Sequence, residues 1–301
     1  MKTVIMAGGY ATRLLPLTER RAKPLLPVAG KPIIDYILER IPSDDIVIST
    51  NKRFRENFAE WRSKKEKNID ILIEETRKEE EKLGTIGAIA YLIKKRNIDE
   101  DLMIVAGDNL FSFELAPFIE AYTGIPLIGL YDMKDKKKIR EKYGVALIKG
   151  NRVRGFQEKP QNPKSTLVSI GCYIYPKNIL PLFSEFLRGH GRKKDAPGYF
   201  NEWLCKKREM RGHILHGDWY DIGDRASYIR ANMAYAGGTY KGENVRAVNS
   251  TIANSVILEN TEIKDSVLRG CIVDRDVVLE GIRLENCIVG EGTRIRDEQK
   301  K

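Results

Sequence analysis

The 301-residue sequence contains no apolar run that approaches the roughly 20 residues a bilayer-spanning helix requires, so a membrane protein of the helical kind is not expected. Met1-Lys2-Thr3 leads straight into a short apolar run rather than into a secretory leader, and the expected location is the cytoplasm. Cysteine is sparse: Cys172, Cys205, Cys271 and Cys287 are all there is, and no two form a Cys-x-x-Cys pair. That argues against a zinc ribbon or a disulfide framework and leaves four small hydrophobes. Histidine is scarcer still, with His190, His213 and His216 only. Charge is not lacking, since 52 Lys and Arg oppose 42 Asp and Glu for a net +10. The excess suits polyanionic partners, but its densest clusters, Lys64-Lys65-Glu66-Lys67 and Lys134-Asp135-Lys136-Lys137-Lys138, mix signs and have no aromatic platform beside them. They read as solvated surface, and no nucleic-acid partner is expected. The high Lys, Arg and Glu content fits a thermophile.

At the start, the apolar run Thr3-Val4-Ile5-Met6 reads as a buried strand. Ala7 and then Gly8-Gly9 follow at once, a pair that permits positive φ and lets the backbone approach something bulky. Arg13 supplies a planar, permanently charged fork suited to phosphate oxygens, and Lys23 a second, point-like cation. A strand that runs into a glycine turn with cations behind it is how an α/β sheet holds a nucleotide phosphate. The spacing is neither a Walker loop, which needs Gly-Lys-Ser/Thr, nor a dinucleotide fingerprint, which needs a third glycine.

Up to about residue 130, strand-like runs at 2–7, 46–50, 70–74, 102–106 and 126–131 alternate with helix-like segments at 32–41, 53–64, 85–96 and 113–122. This alternation predicts a Rossmann-like, mostly parallel sheet with helices on both faces and ligands at the carboxyl ends of the strands, which puts Gly8, Glu74 and Asp108 on one edge. A hairpin over 143–156, a strand at 169–175, helices at 177–188 and 199–208, a strand near 213–217 and a helix over 224–236 read as a subdomain packed on that sheet.

Past Gly237-Gly238 the chain repeats every 16 residues: Ser255, Cys271 and Cys287; Ile257, Val273 and Val289; Ile252, Leu268 and Leu284; Ile263, Leu279 and Ile295. The aliphatic positions step by 5, 6 and 5 within a coil, giving three short faces per turn and a ladder of like residues up each corner. The segment resembles the left-handed β-helix of hexapeptide-repeat proteins, cut to about three coils. Acyltransferases built on such coils need a histidine in or beside them, and the three histidines all lie upstream. A structural or oligomerisation role is expected, and with it a homo-oligomer. The predicted domains are 1–236 and 244–295.

The composite over residues 6–33 resembles the signature of the sugar-1-phosphate nucleotidyltransferases, most closely the glucose-1-phosphate thymidylyltransferases. Gly8, Gly9, Thr12, Arg13, Leu14, Pro16, Thr18, Lys23 and Pro24 match it, and Gly30-Lys31-Pro32-Ile33 extends the match. The resemblance implies transfer of a nucleotidyl group from a nucleoside triphosphate, dTTP or UTP, to a hexose 1-phosphate, glucose 1-phosphate first, with release of pyrophosphate. It implies that Arg13 holds the β- and γ-phosphates and Lys23 the α-phosphate, with Ala7, Gly8, Gly9, Thr12, Gly84 and Thr85 around the nucleotide. Thr85 can also cap the helix that follows it. Mg²⁺ is implied as cofactor, on Asp108 of Gly107-Asp108-Asn109 and on Asp221 of Trp219-Tyr220-Asp221. Glu158-Lys159-Pro160 resembles the motif whose glutamate accepts sugar hydroxyls and whose lysine meets the sugar phosphate, with Gly144 and Ser169 beside it. Two departures leave base and sugar open: Glu79-Glu80-Glu81-Lys82 replaces a Gln-Pro pair, and Ser169 stands where many relatives have asparagine. The segment Asp195-Ala196-Pro197-Gly198-Tyr199-Phe200 leans toward the thymidylyltransferase-like members. The alternatives are a mannose-1-phosphate guanylyltransferase and, in other classes, a catalytically silent regulatory or scaffold subunit, a nucleic-acid binder or an acyltransferase.

Overall fold

The structure is a computed structural model that describes residues 1–297. Its contacts divide the chain into two compact units. The first takes Met1–Gly9 and Ile37–Trp219, and the second takes Tyr10–Tyr36 and everything from Tyr220 onward. The signature segment is therefore cut in two, with its glycine turn in one unit and its cations in the other. Helix α1 (Ile33–Arg40) carries the chain across that cut.

The first unit is built on one nine-stranded sheet. Its strands are β1 (Lys2–Met6), β2 (Ile46–Asn51), β3 (Ile69–Glu74), β4 (Leu102–Ala106), β5 (Leu127–Asp132), β6 (Gly144–Lys149), β7 (Arg152–Glu158), β8 (Leu167–Tyr175) and β9 (Arg211–Ile214). Their spatial order is β3-β2-β1-β4-β8-β5-β9-β7-β6, and all but β7 and β8 run the same way. The strands after residue 130 thus extend the same sheet and do not form a separate layer. The hairpin β6-β7 and the returning β8 all find partners within it.

Helices α2 (Arg55–Ser63), α3 (Gly84–Lys95), α4 (Ala116–Glu120), α5 (Leu180–His190) and α6 (Pro197–Leu204) cover the sheet. Alternation along the strands sorts the core. Val4, Val47, Leu72, Ile104, Ile128 and Tyr173 pack with α3, α5 and α6, while their neighbours Ile5, Ile48, Met103 and Val105 are equally buried toward the other face. On that second face Phe118 of α4 meets His213 of β9 edge-on, with ring centroids 6.1 Å apart. A sheet covered on both faces needs the continuous aliphatic runs that these strands carry. Aromatic rings lock α5 to α6: Phe183 stacks on Phe200 at 4.1 Å, with Tyr175, Phe186 and Trp203 around them.

In the second unit, helix α7 (Arg225–Ala236) begins at a capping box, in which Ser227 N donates to Asp224 Oδ1 at 2.8 Å and Asp224 N donates to Ser227 Oγ at 2.9 Å. It ends at Gly237, in the left-handed region at φ 72°. A three-sided parallel β-helix follows. Its strands pair in the register that the repeat demands: Ile252 with Leu268 and Leu284, Ile263 with Leu279 and Ile295, Ile257 with Val273 and Val289. Its corners are turned by left-handed residues at the same period: Asn244, Asn260, Asp276 and Gly292; Asn249, Asp265 and Gly281; Asn254, Gly270 and Asn286. Asn and Asp are the side chains that tolerate this conformation most readily. Along one corner the side chains form a ladder, Asn244 Nδ2 donating to Asn260 Oδ1 and Asn260 Nδ2 to Asp276 Oδ1, both at 3.1 Å. Cys271 and Cys287 stack inside it with Sγ atoms 3.7 Å apart, and all four cysteines are unbridged.

Candidate active site

At the carboxyl edge of the first unit's sheet, the end of β2 grips the turn after β1. Ala7 N donates to Ser49 O at 2.7 Å, Thr50 Oγ1 to Ala7 O at 3.2 Å and Asn51 Nδ2 to Gly8 O at 3.0 Å. Neither Gly8 nor Gly9 takes a positive φ; the left-handed residue is Ala11, at φ 50°. Gly8 is needed for approach, because a Cβ there would stand 2.9 Å from Glu74 Oε1. Glu74, at the end of β3, is 3% exposed and accepts the Ser49 hydroxyl at 3.1 Å. Burial pushes its carboxyl up to about 7, against the pull of the Ser49 bond. On the other side of β1, Gly107 N donates to Met6 O at 2.9 Å, which sets Asp108 beside the same turn. Asp108 is half-buried and accepts from Asn109 Nδ2 at 3.2 Å, while Asn109 Oδ1 receives the Trp219 indole N–H at 2.8 Å.

Glu158 ends β7 directly opposite Gly144, the first residue of β6. A Cβ on Gly144 would lie 2.7 Å from Glu158 Oε2, and one on Gly198, in the first turn of α6, would collide with the same carboxylate. Two glycines from distant parts of the chain thus make room for one acid. Burial raises its carboxyl to about 7, opposed by Lys159 and assisted by Glu202. Lys159 is exposed and left-handed at φ 46°, with its N–H bonded to Tyr143 O at 3.1 Å. The Ser169 and Tyr173 hydroxyls share a 2.8 Å hydrogen bond.

Gly84 and Thr85 open α3, and here the capping expectation fails. The helix already includes Gly84, no side chain caps it, and the Thr85 hydroxyl donates at 3.0 Å to Asp195 O. The segment before α6 lies so close that a Cβ on Gly84 would be 2.7 Å from Lys194 O. Local spacing carries no trace of this contact, which spans more than a hundred residues.

Thr12, Arg13, Lys23 and Asp221 belong to the second unit. Thr12 and Arg13 lie exposed in a single turn, Thr12–Leu14, which the Thr18 hydroxyl closes by donating to Ala11 O at 2.9 Å. Lys23 Nζ donates to Ile222 O at 2.8 Å, and the Arg13 guanidinium is the nearest group to Gly223, 3.7 Å from where its Cβ would stand. Two cations from the signature loop therefore converge on Asp221-Ile222-Gly223. Asp221 is half-buried. Asp108 and Asp221 fall in different units, and among the described residues no three His, Cys, Asp or Glu side chains form a metal cluster. Each unit thus offers an aspartate of the kind that suits Mg²⁺, which takes one or two protein carboxylates and completes its shell with phosphate oxygens and water.

Residues 2–238 match the family model described as nucleotidyl transferase. Among curated proteins, the bifunctional protein GlmU of Methanocaldococcus jannaschii is 29% identical over 93% of this chain and 60% of its own length. A putative mannose-1-phosphate guanyltransferase of Sulfolobus acidocaldarius is 30% identical over 77% of this chain and 62% of its own. The chain spans under two thirds of the length of either. The crystal structure of a putative glucose-1-phosphate thymidylyltransferase from Bacillus anthracis superposes with a TM-score of 0.66 at 26% identity, over 78% of this chain and 94% of that one. In the described residues no helix is long and apolar enough to cross a membrane.

Proposed function

The chain belongs to the nucleotidyl transferase family, and we propose that it transfers a nucleotidyl group from a nucleoside triphosphate to a hexose 1-phosphate and releases pyrophosphate. The observation that carries this reading is the convergence of Arg13 and Lys23 on the Asp221–Gly223 segment. The attacking group is a sugar phosphate oxygen, already an anion, and the bond broken joins the α-phosphorus to the departing pyrophosphate. No protein nucleophile is needed. The protein must align two polyanions and offset their repulsion. Arg13 holds the β- and γ-phosphates and neutralises the departing pyrophosphate, Lys23 meets the α-phosphate, and Lys159 meets the sugar phosphate. Gly8, Gly9, Ala7 and Thr12 admit the nucleotide, while Gly144, Ser169 and the Glu158 carboxylate receive the sugar. Asp108 and Asp221 would hold Mg²⁺, which when bound offsets phosphate charge.

For the finer choice, the sequence favours dTTP or UTP with glucose 1-phosphate. A second pair, GTP with mannose 1-phosphate, is supported by the likeness to the putative mannose-1-phosphate guanyltransferase of Sulfolobus acidocaldarius. Pyrophosphate release with dTTP, UTP, GTP, CTP and ATP against glucose, mannose and galactose 1-phosphates tests all of this. Release with no pair overturns the enzyme reading in favour of a regulatory subunit.

A further inference from the structure

The chemistry just described makes no use of the β-helix, yet the loop that carries Arg13 and Lys23 belongs to the same compact unit as the coils. Several contacts seat that loop. Arg21 Nη2 lies 2.8 Å from Asp274 Oδ1, with side chains 15% and 3% exposed. Pro16 packs on Gly290, where a Cβ would be 3.0 Å from Pro16 Cγ. The Tyr240 hydroxyl reaches Gly30, 3.0 Å from where its Cβ would stand. From α7, the Tyr228 hydroxyl donates to Pro27 O and Asn232 Oδ1 accepts from Ala29 N at 3.0 Å.

Of these contacts the Arg21–Asp274 pair is the only ionic one, and it stands two residues from Lys23 and eight from Arg13. Its acid is fixed by the coils themselves. Asp274 N donates to Val289 O at 3.0 Å, Asp274 O accepts the Thr261 hydroxyl at 3.0 Å, and its carboxylate also takes Arg275 N at 2.8 Å. The loop has no regular ladder of its own between Leu14 and Lys23. A buried anion fixed in the coils thus holds a basic segment without regular secondary structure through a charge-assisted bond that neither partner would leave cheaply in a buried setting.

We propose that the β-helix is a working part of the phosphate site, and that Asp274 is a positioning residue which, through Arg21, holds the Thr12–Lys23 loop where Arg13 and Lys23 meet the polyphosphate. This rests on the nucleotidyl-transfer reading, and extends it to the coils. Catalysis by prepositioned charge is steep in displacement, and a misplacement of about 1 Å can cost about 10²-fold in rate.

Two measurements test it. In hydrogen exchange on the full chain without substrate, Asp274→Asn should speed exchange of the amides of residues 12–23 and leave those of α3 and α5 unchanged; unchanged loop exchange overturns the proposal. This arm needs no activity and stands even if the transfer reading fails. In kinetics, Asp274→Asn should raise the KM for nucleoside triphosphate and for pyrophosphate in the reverse direction, with a loss in kcat/KM of about 10-fold or more, while the KM for sugar phosphate is held. Asp274→Glu should recover part of the loss. Arg21→Gln, the milder variant should Asp274→Asn fold poorly, should show the same pattern, and the double variant should be no worse than either single one, because both act through one bond. Glu280→Gln, which removes a pair with Lys264 elsewhere on the coils, is the control and should leave the loop exchange and these kinetic constants unchanged. A lowered melting temperature with unchanged kinetic constants in the folded fraction, or additive losses in the double variant, reduces the pair to a structural tie.

Discussion

The two units treat charge in opposite ways. In the first, two acids are pressed against glycines: Glu74 on Gly8, and Glu158 between Gly144 and Gly198. Burial dominates both carboxyls and lifts them toward neutrality. In the second, cations stand beside fixed acceptors: Lys23 beside Ile222 O and Arg21 beside the Asp274 carboxylate. On the proposed reading this is a division by substrate chemistry. Acceptor-rich pockets suit sugar hydroxyls, and cations suit phosphates. The lesson is that burial tunes the acids, whereas hydrogen bonds to fixed acceptors aim the cations.

The largest blow to the first half of that contrast should come from Phe200→Ala. It removes the ring that stacks on Phe183 and helps seat α6, and with it Gly198 against Glu158. A loss of about 3–5 kcal/mol is expected for a buried phenylalanine, read by denaturant unfolding, together with a raised KM for sugar phosphate. Arg13→Ala strikes the other half. Its side chain is exposed, so the melting temperature should hold while kcat/KM falls about 10²–10³-fold, as for loss of a charge-stabilising donor. Near-normal turnover would remove Arg13 from the chemistry.

The acids can also be probed by pH. Folding desolvates Glu74 and Glu158, so each holds its proton more tightly folded than unfolded, at about 7 against 4.5. Their stabilising contribution is complete below 4.5 and is lost as pH rises through 7. The substrate-free protein should therefore melt at lower temperature at pH 8 than at pH 5, by an amount worth up to about 3 kcal/mol for the nearly solvent-free Glu74. Glu74→Gln should flatten that slope. A slope that survives in the Glu74→Gln, Glu158→Gln double variant would place its origin elsewhere. At the small end, Lys64→Ala breaks an exposed 2.8 Å pair with Glu60 and should shift stability by less than about 0.5 kcal/mol.

Most of the sheet could be read from the chain because it is covered on both faces, so strands such as 102–106, and the first half of 46–51, are continuous apolar runs between helical ones. The coils were legible because a 16-residue period is a local, repeated signal, and the paired registers follow it residue for residue. The cations and glycines of residues 8–23 were legible as a composite. What escaped were contacts that no spacing encodes. Gly198 reaches Glu158 from another element, Thr85 spends its hydroxyl on Asp195 instead of its own helix, and the left-handed turn falls on Ala11 while Gly8 serves proximity. Arg21 and Asp274 lie 253 residues apart. The strands past residue 130 read as a subdomain because hairpin signals are local, while membership of a sheet is decided by distant neighbours.

The corner residues of the β-helix carry one last consequence. Because Asn260 and Asp276, or Asn254 and Gly270, recur at the same interval and in the same left-handed state, one coil can be duplicated or deleted as a whole cassette without altering the geometry of those that remain. Growth beyond Glu291 should then be tolerated in steps of a full turn and rejected in fractions of one. The coils holding Tyr240, Asp274 and Gly290 are the exception: their places are fixed by the loop that leans against them, so lengthening is expected only beyond them.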